Sequence, residues 1–322
     1  MPNRKLRAVI IGLGGIAWKY DYTNPASEFA LTQAGAMLRH PDIELCGGYS
    51  PNEIDRNGFQ TWSGIPAFND IEQLLNEIQP DIAGICSPTE VHAENFEQCI
   101  NKDVSGIWLE KPPTKLVKDI TRLAELAEYK KTTVCVNYFR RYLPVYDWLK
   151  NIPNEIGSCK LIQLLYSPGL ERNGSHFLDL IFFLTGAVDY NLLWVESNGD
   201  INNPAFALRL NTGQLVSACG ANLPYHSNTI VMVCEGGVAT VGKGGEIVRL
   251  ESRTENSLFP GFYTLQDASH NLSDFGGMRC YMEYPLRDLV DSIQNKKTCR
   301  SSLYTAMKSQ ILLEDILYKA NK

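Results

Sequence analysis

The chain has 322 residues, 44% of them hydrophobic and 20% charged, with a formal net charge of −6. This is the balance of a globular chain long enough for two domains. The negative charge and the lack of any basic run or basic–aromatic stripe exclude nucleic acid as the expected partner, and apolar runs such as Leu180–Leu184 are too short to span a bilayer.

The N-terminus, MPNRKLRAVIIGLGG, mimics a signal peptide, but its apolar run ends at Gly12 with no small-residue cleavage site after it, so it reads as a first strand. RAVIIGLGGIA is then a strand entering a glycine-rich turn, and IELCGGYSP a second strand. IEQLLNEI is a helix with Asn69 or Asp70 as its cap. DIAGICSP is a strand ended by Pro88, AENFEQCINKD a helix, and VSGIWLEKPP a strand ended by two prolines. TKLVKDITRLAELAEYKK opens on Thr114 and sets Leu116, Ile120, Leu123 and Ala127 on one helical face; TVCVNY is another strand. This alternation predicts a parallel sheet with helices on both faces.

After it the pattern changes. SCKLIQLLYS, DYNLLWVES, PAFALRLNTG, QLVSACGAN, TIVMVCEGG, VATVGKGG and EIVRLESR are strand-like, and RLNTGQLVS reads as a hairpin turning at Asn211, Thr212 and Gly213. Ser175–Leu184 interrupts as a helix, with Phe177, Leu180, Ile181 and Leu184 on one face and Phe182 and Phe183 on others, so burial nearly all round is expected. Gly261–Tyr281 reads as a loop-like insert that could cover a ligand, with His270 and Tyr281 as weak candidates, and the tail Tyr284–Ala320 is helical again. The expected fold is α/β: a doubly wound parallel-sheet domain over residues 1–136, then an α+β domain with a large open, mostly antiparallel sheet over 137–322, its last helices packing back toward the first domain.

The nine cysteines are scattered, odd in number and without C-x-x-C spacing. That fits reduced thiols in a cytoplasmic protein and offers no metal site.

Gly12-x-Gly14-x-x-Ala17 follows an apolar strand, the context in which such a turn binds a dinucleotide. Gly12 allows the tight turn, Gly14 the approach of a pyrophosphate, and Ala17 close helix–sheet packing, while Gly15 and Ile16 open a helix whose N-terminus favours phosphate. Ser50 stands at the end of the second strand, where an NAD site usually carries an acid for the ribose 2′-OH. A serine there does not repel a 2′-phosphate and Arg56 is near, so the cofactor is NAD or NADP with a lean to NADP, against the plainer reading of a Ser50-Pro51 turn. Ser87, Pro88 and Thr89 end one strand, and Glu110 and Lys111 another, at the edge where ligands bind in such sheets. His92 taken alone reads more simply as packing or capping. Lys111 is placed to donate a hydrogen bond or proton to a substrate oxygen. His176 and Asp179 are ionisable groups in an apolar helix, costly unless paired or facing a cleft.

In this order the motifs GLGGIA, CSPTEVHAE, LEKPP, VNYFRRY and NGSHFLDLIFFLTG, with the C-terminal helices, resemble the Gfo/Idh/MocA family of NAD(P)-dependent oxidoreductases, which includes glucose–fructose oxidoreductase and inositol 2-dehydrogenase. The resemblance implies an N-terminal Rossmann domain and a C-terminal domain whose open sheet commonly forms a homodimer or homotetramer interface. It implies hydride transfer at a hydroxyl or carbonyl carbon of a sugar, cyclitol or (nucleotide-)sugar derivative. The family's EKP lysine falls on Lys111 and its acid/base histidine on His176; Asn137 and Arg140 match a segment that shapes the nicotinamide end. Many members carry an aspartate four residues before the histidine, where this chain has Arg172. Arg172 would disfavour a charged His176 and could pair with an anionic substrate, or simply point to solvent at the end of a loop; Asn173 and Asp179 are further substrate-side candidates. The departure keeps two alternatives open: a lyase or hydrolase that oxidises transiently without net redox change, and a non-catalytic cofactor-binding sensor or partner subunit.

Overall fold

A computed structural model of the chain describes residues 4–25, 27–197 and 199–322. Its contacts divide the chain into one unit of Met1–Phe139 with Cys280–Met307 and a second of Arg140–Arg279 with Lys308–Lys322.

The first unit is built on β1 (Leu6–Ile11), β2 (Ile43–Tyr49), β3 (Ala67–Phe68), β4 (Ile82–Ile85), β5 (Gly106–Leu109) and β6 (Thr133–Val136). All pair in parallel, in the order β3-β2-β1-β4-β5-β6. Helices cover both faces, so β4 and β5 are buried at every residue and read as unbroken apolar runs rather than alternating ones. Val9, Ile11, Ile85, Ile107 and Val136 form one core with Leu74, Phe96 and Leu123 from the helices. The chain winds one way from β1 to β3 and the other way from β4 to β6. The order therefore reverses between β1 and β4, and the crevice at their C-terminal ends is where such sheets take ligands.

Local chemistry sets the helix starts. Asp70 caps Ile71–Ile78 by accepting from the Gln73 amide at 2.7 Å, worth about 0.5–2 kcal/mol. The long helix runs Val117–Lys130 and starts three residues later than the pattern suggested. Thr114 is buried and donates to the Leu116 carbonyl, closing a turn after the two prolines rather than capping a helix.

The second unit holds β7 (Cys159–Tyr166), β8 (Tyr190–Glu196), β9 (Ala205–Leu210), β10 (Leu215–Gly220), β11 (Thr229–Cys234), β12 (Gly237–Gly242), β13 (Ile247–Glu255) and β14 (Tyr263–Asp267). They form one sheet in the order β14-β13-β12-β11-β7-β10-β9-β8, antiparallel except where β10 lies parallel to β7. The β9–β10 hairpin turns at Asn211–Gly213, closed by the Leu210 amide on the Gln214 carbonyl at 3.0 Å. β14 lies within the segment expected to be a loop. It pairs with β13 as an edge strand exposed at every residue, which is why its hydrophobic signal is weak. The helices Pro144–Asn151 and Pro153–Ile156 were also not anticipated, and each begins with proline at its first position. The helix Ser175–Thr185 is buried from Ser175 to Leu184 and closes on Gly186 at φ 67°. Among the described residues no helix is long and apolar enough to cross a membrane.

Candidate active site

In the first unit the glycine turn leaves β1 directly at the reversal of strand order. Gly12 has φ 89°, and a Cβ there would overlap the Ser87 backbone, so both the turn and the approach of the loop after β4 require glycine. Gly14 differs. Its backbone is extended, and a Cβ there would meet nothing within 4 Å. No packing inside the protein explains a glycine at that position; clearance for a ligand against the backbone does. Ala17 is fully buried, and Gly15–Lys19, a π-helical turn, continues into Tyr20–Thr23. Gly15 and Ile16 are half-buried at its opening. These residues fit the pyrophosphate of a dinucleotide.

Ser50 follows the last residue of β2 and is nearly buried. Its hydroxyl accepts from the Asn52 amide at 3.2 Å, while Arg56 Nη1 donates to the carbonyls of Ser50 and Pro51 at 2.8 and 2.9 Å. A guanidinium is thus held at the strand end by backbone bonds. The nearby Asp55 is paired with Lys19 at 2.6 Å.

Two loops follow β4 and β5. His92 ties them together: its Nε2 lies 2.8 Å from the Ser87 carbonyl and its Nδ1 3.1 Å from that of Pro112. Burial lowers its pKa, with the carbonyls opposing. His92 therefore acts through the loops it joins, in keeping with the packing reading. Ser87 Oγ accepts from Asn95 at 2.8 Å, and Pro88 and Thr89 lead into a short 3₁₀ turn.

Glu110 ends β5 in the interior. Its Oε1 accepts from Gln33 Nε2 at 2.9 Å and from Asn137 Nδ2 at 2.6 Å, and its Oε2 faces the Lys111 amide at 3.3 Å. Burial raises its pKa against the pull of these donors and of Lys111. The carboxylate locks β5, β6 and the helix Gln33–Arg39 around the half-buried Lys111. Gln33, fully buried here, was missed by sequence reasoning; a glutamine among Ala, Gly and Met just after Thr32 was the available signal. Asn137 Oδ1 is buried without a hydrogen-bond partner. Tyr281 donates to the Leu31 carbonyl at 2.6 Å and packs on Phe139, whereas His270 is exposed.

In the second unit His176 is buried in the first turn of its helix. Asp179, one turn on, gives both oxygens to Arg141: Nε to Oδ2 at 2.5 Å and Nη2 to Oδ1 at 2.7 Å. Its substrate-binding candidacy gives way to this buried pair, since a carboxylate spent on a bidentate partner has little left for a ligand. Burial pushes the Asp179 carboxyl up and Arg141 draws it back. Arg140 is buried too, bonded to Tyr146 and lying over the Phe177 ring at 5.4 Å. Asn173 Nδ2 faces the Ser167 carbonyl at 2.9 Å and His226 Nδ1 at 3.0 Å; His226, on the loop before β11, escaped the sequence reading.

Arg172 is exposed and lines a cleft of about 340 Å³ with Glu171, Asp200, Asn202, Asn203 and Asn222. His176 does not line that cleft. Gly169–Gly174, which carries Arg172, is a π-helical turn that runs directly into the helix carrying His176. Among the described residues no group of three or more His, Cys, Asp or Glu could hold a metal.

Residues 6–138 match the family model of the Gfo/Idh/MocA oxidoreductases, described as an oxidoreductase family with an NAD-binding Rossmann fold. The Salmonella typhimurium protein YceM, named as an oxidoreductase, is 30% identical over 150 residues, 46% of this chain and 43% of its own length. The chain thus spans less than half of that curated relative. Among solved structures, the UDP-N-acetylglucosamine 3-dehydrogenase GnnA of Acidithiobacillus ferrooxidans superposes with TM-score 0.76 at 15% identity, covering 98% of each chain. The 3-ketoreductase KijD10 of Actinomadura kijaniata, in complex with NADP, does so with TM-score 0.77 at 14% identity, again over 98% of each chain. At these identities the likeness is one of fold. The match over 6–138 takes in the glycine turn and the Glu110-Lys111 segment, so over these residues the chain is similar to the NAD-binding Rossmann fold of that oxidoreductase family.

Proposed function

We propose that the chain is an NAD(P)-dependent oxidoreductase acting on a CH–OH or carbonyl carbon of a sugar, cyclitol or nucleotide-sugar derivative. The observation that carries this is the convergence of the Gly12–Gly14 turn, the Ser87–Thr89 loop and the Glu110-Lys111 segment at the C-terminal ends of β1, β4 and β5. The cofactor, when bound, supplies or accepts the hydride. The protein's share is positioning and proton management. Gly12–Ala17 holds the pyrophosphate, and Ser50 with Arg56 suits an NADP 2′-phosphate better than a bare ribose. Lys111 hydrogen-bonds the reacting oxygen, and His176 is the second unit's candidate for acid/base work.

Nucleotide-sugar chemistry is supported by GnnA, whose name states such a substrate. Arg172 adds a cation to a cleft otherwise rich in amide and carboxylate groups. That mixture suits a polyhydroxylated ligand bearing an anionic group. The exposed Leu193, Trp194, Tyr263 and Leu265 favour a homo-oligomer formed through the second unit's sheet, and nine unbridged cysteines favour the cytoplasm.

The test is Lys111→Met in steady-state turnover with a sugar and nucleotide-sugar panel, alongside cofactor titration by fluorescence. Turnover should fall by about 10²-fold or more while the cofactor Kd stays within a few-fold. Unchanged turnover would remove Lys111 from the reaction.

A further inference from the structure

Two of the nine cysteines face each other across the second unit's sheet. Cys159 opens β7, Cys234 ends β11, and the antiparallel register sets them directly opposite, just past a bulge. The next pair outward, Ser158 and Glu235, is joined by the Glu235 amide on the Ser158 carbonyl at 3.2 Å. Hydrogen-bonded and non-hydrogen-bonded pairs alternate along an antiparallel ladder, so Cys159 and Cys234 occupy a non-hydrogen-bonded pair. Such pairs place their Cα atoms about 4.5 Å apart with side chains close, inside the roughly 4.4–6.8 Å window that a disulfide spans. The Cys159 thiol also donates to the Leu161 carbonyl at 3.6 Å. Around them the strand ends are held by the Ser158 amide on Glu235 at 3.3 Å, by Lys160 paired with Glu235 at 2.8 Å, and by the Gly236 amide on the Ile156 carbonyl at 2.6 Å.

We propose that Cys159 and Cys234 form a reversible thiol–disulfide site, closed by a hydroperoxide such as hydrogen peroxide and reopened by a dithiol. The two thiols are unlike. The neighbouring Cys234 thiol and the Lys160 ammonium lower the pKa of Cys159, while the neighbouring Cys159 together with burial raises that of Cys234. Cys159 is therefore the attacking sulfur and Cys234 the resolving one. The Cys159 thiolate attacks one peroxide oxygen; the O–O bond breaks, and hydroxide leaves and takes up the thiol proton as water. The product is Cys159 sulfenic acid. Cys234 sulfur then displaces the sulfenic oxygen, which leaves as a second water with the Cys234 proton. Two thiols are oxidised by two electrons and one peroxide is reduced to two waters. A dithiol reverses the bond by exchange. The site takes no part in hydride transfer. It gives oxidised Cys159 a reversible end-point in place of sulfinic acid.

The experiment treats the full-length protein with stoichiometric hydrogen peroxide, blocks remaining thiols with iodoacetamide in denaturant, and maps peptides before and after dithiothreitol. The expected result is a Cys159–Cys234 linked peptide, lighter than the two free peptides by two hydrogens, abolished by dithiothreitol and absent from Cys234→Ser. That variant should instead carry Cys159 as sulfenic acid, trapped by dimedone. Full carbamidomethylation of both cysteines after peroxide has oxidised the exposed Cys219 would overturn the proposal, as would recovery of Cys159 chiefly as sulfinic acid in the wild-type chain.

Discussion

Replacing Arg141 with Met asks what Asp179 is for. The two side chains are 6% and 1% exposed and share two bonds of 2.5 and 2.7 Å. Each charge-assisted bond is worth about 1.5–3 kcal/mol, and removing one partner leaves a buried carboxylate alone, so Arg141→Met should cost about 3–5 kcal/mol. With a urea m-value of about 2 kcal/mol/M, the unfolding transition of the second unit should move about 2 M lower. The double variant Arg141→Met with Asp179→Leu buries no charge and should recover most of the loss. The penalty should also depend on pH. Burial holds the folded carboxyl above its unfolded value, and without Arg141 nothing opposes that shift. In the interval between the two values the folded state keeps the proton that the unfolded state has lost, so stability falls as pH rises. The cost of Arg141→Met should therefore be smaller at acid than at neutral pH. Urea titrations of the wild-type protein and these two variants at two pH values measure all of this. A loss below about 1 kcal/mol for Arg141→Met would place the pair in the class of exposed ion pairs and refute a structural role for Asp179.

The two glycines should separate cleanly. Gly12→Ala, at φ 89° and against the Ser87 backbone, should destabilise by about 1–3 kcal/mol or more in thermal melts, whereas Gly14→Ala should leave the melting temperature unchanged and weaken the cofactor by about 5-fold or more in titration. Ser50→Asp should weaken NADPH by about 30–150-fold, from roughly 2–3 kcal/mol of repulsion against a 2′-phosphate, while sparing NADH; equal effects on the two cofactors would remove the 2′-phosphate from that strand end. Arg172→Ala should raise KM for an anionic sugar by about 10-fold or more and leave a neutral analogue within 2-fold, and parallel changes would take Arg172 out of anion recognition.

The first sheet was readable because its helices cover both faces. Runs such as IAGI and GIWL are continuously apolar and bounded by polar helices, so period and length alone separate strand from helix. The second sheet was readable strand by strand where β7 alternates, with Ile162, Leu164 and Tyr166 inward and Gln163 and Leu165 outward. β14 was not, because an edge strand exposed at all five positions carries no burial signal. Its partner β13 is what makes it a strand, and pairing is a non-local fact.

The site divides along the same line. Gly12 and Lys111 lie just past strand ends, and Ala17 in the turn after the first strand, positions that follow from the local pattern. Gln33 lies 77 residues from Glu110, and Asp179 lies 38 from Arg141; no local window contains either pair. Arg172 is likewise placed by distant residues: it lines a cleft with Asp200, Asn202, Asn203 and Asn222.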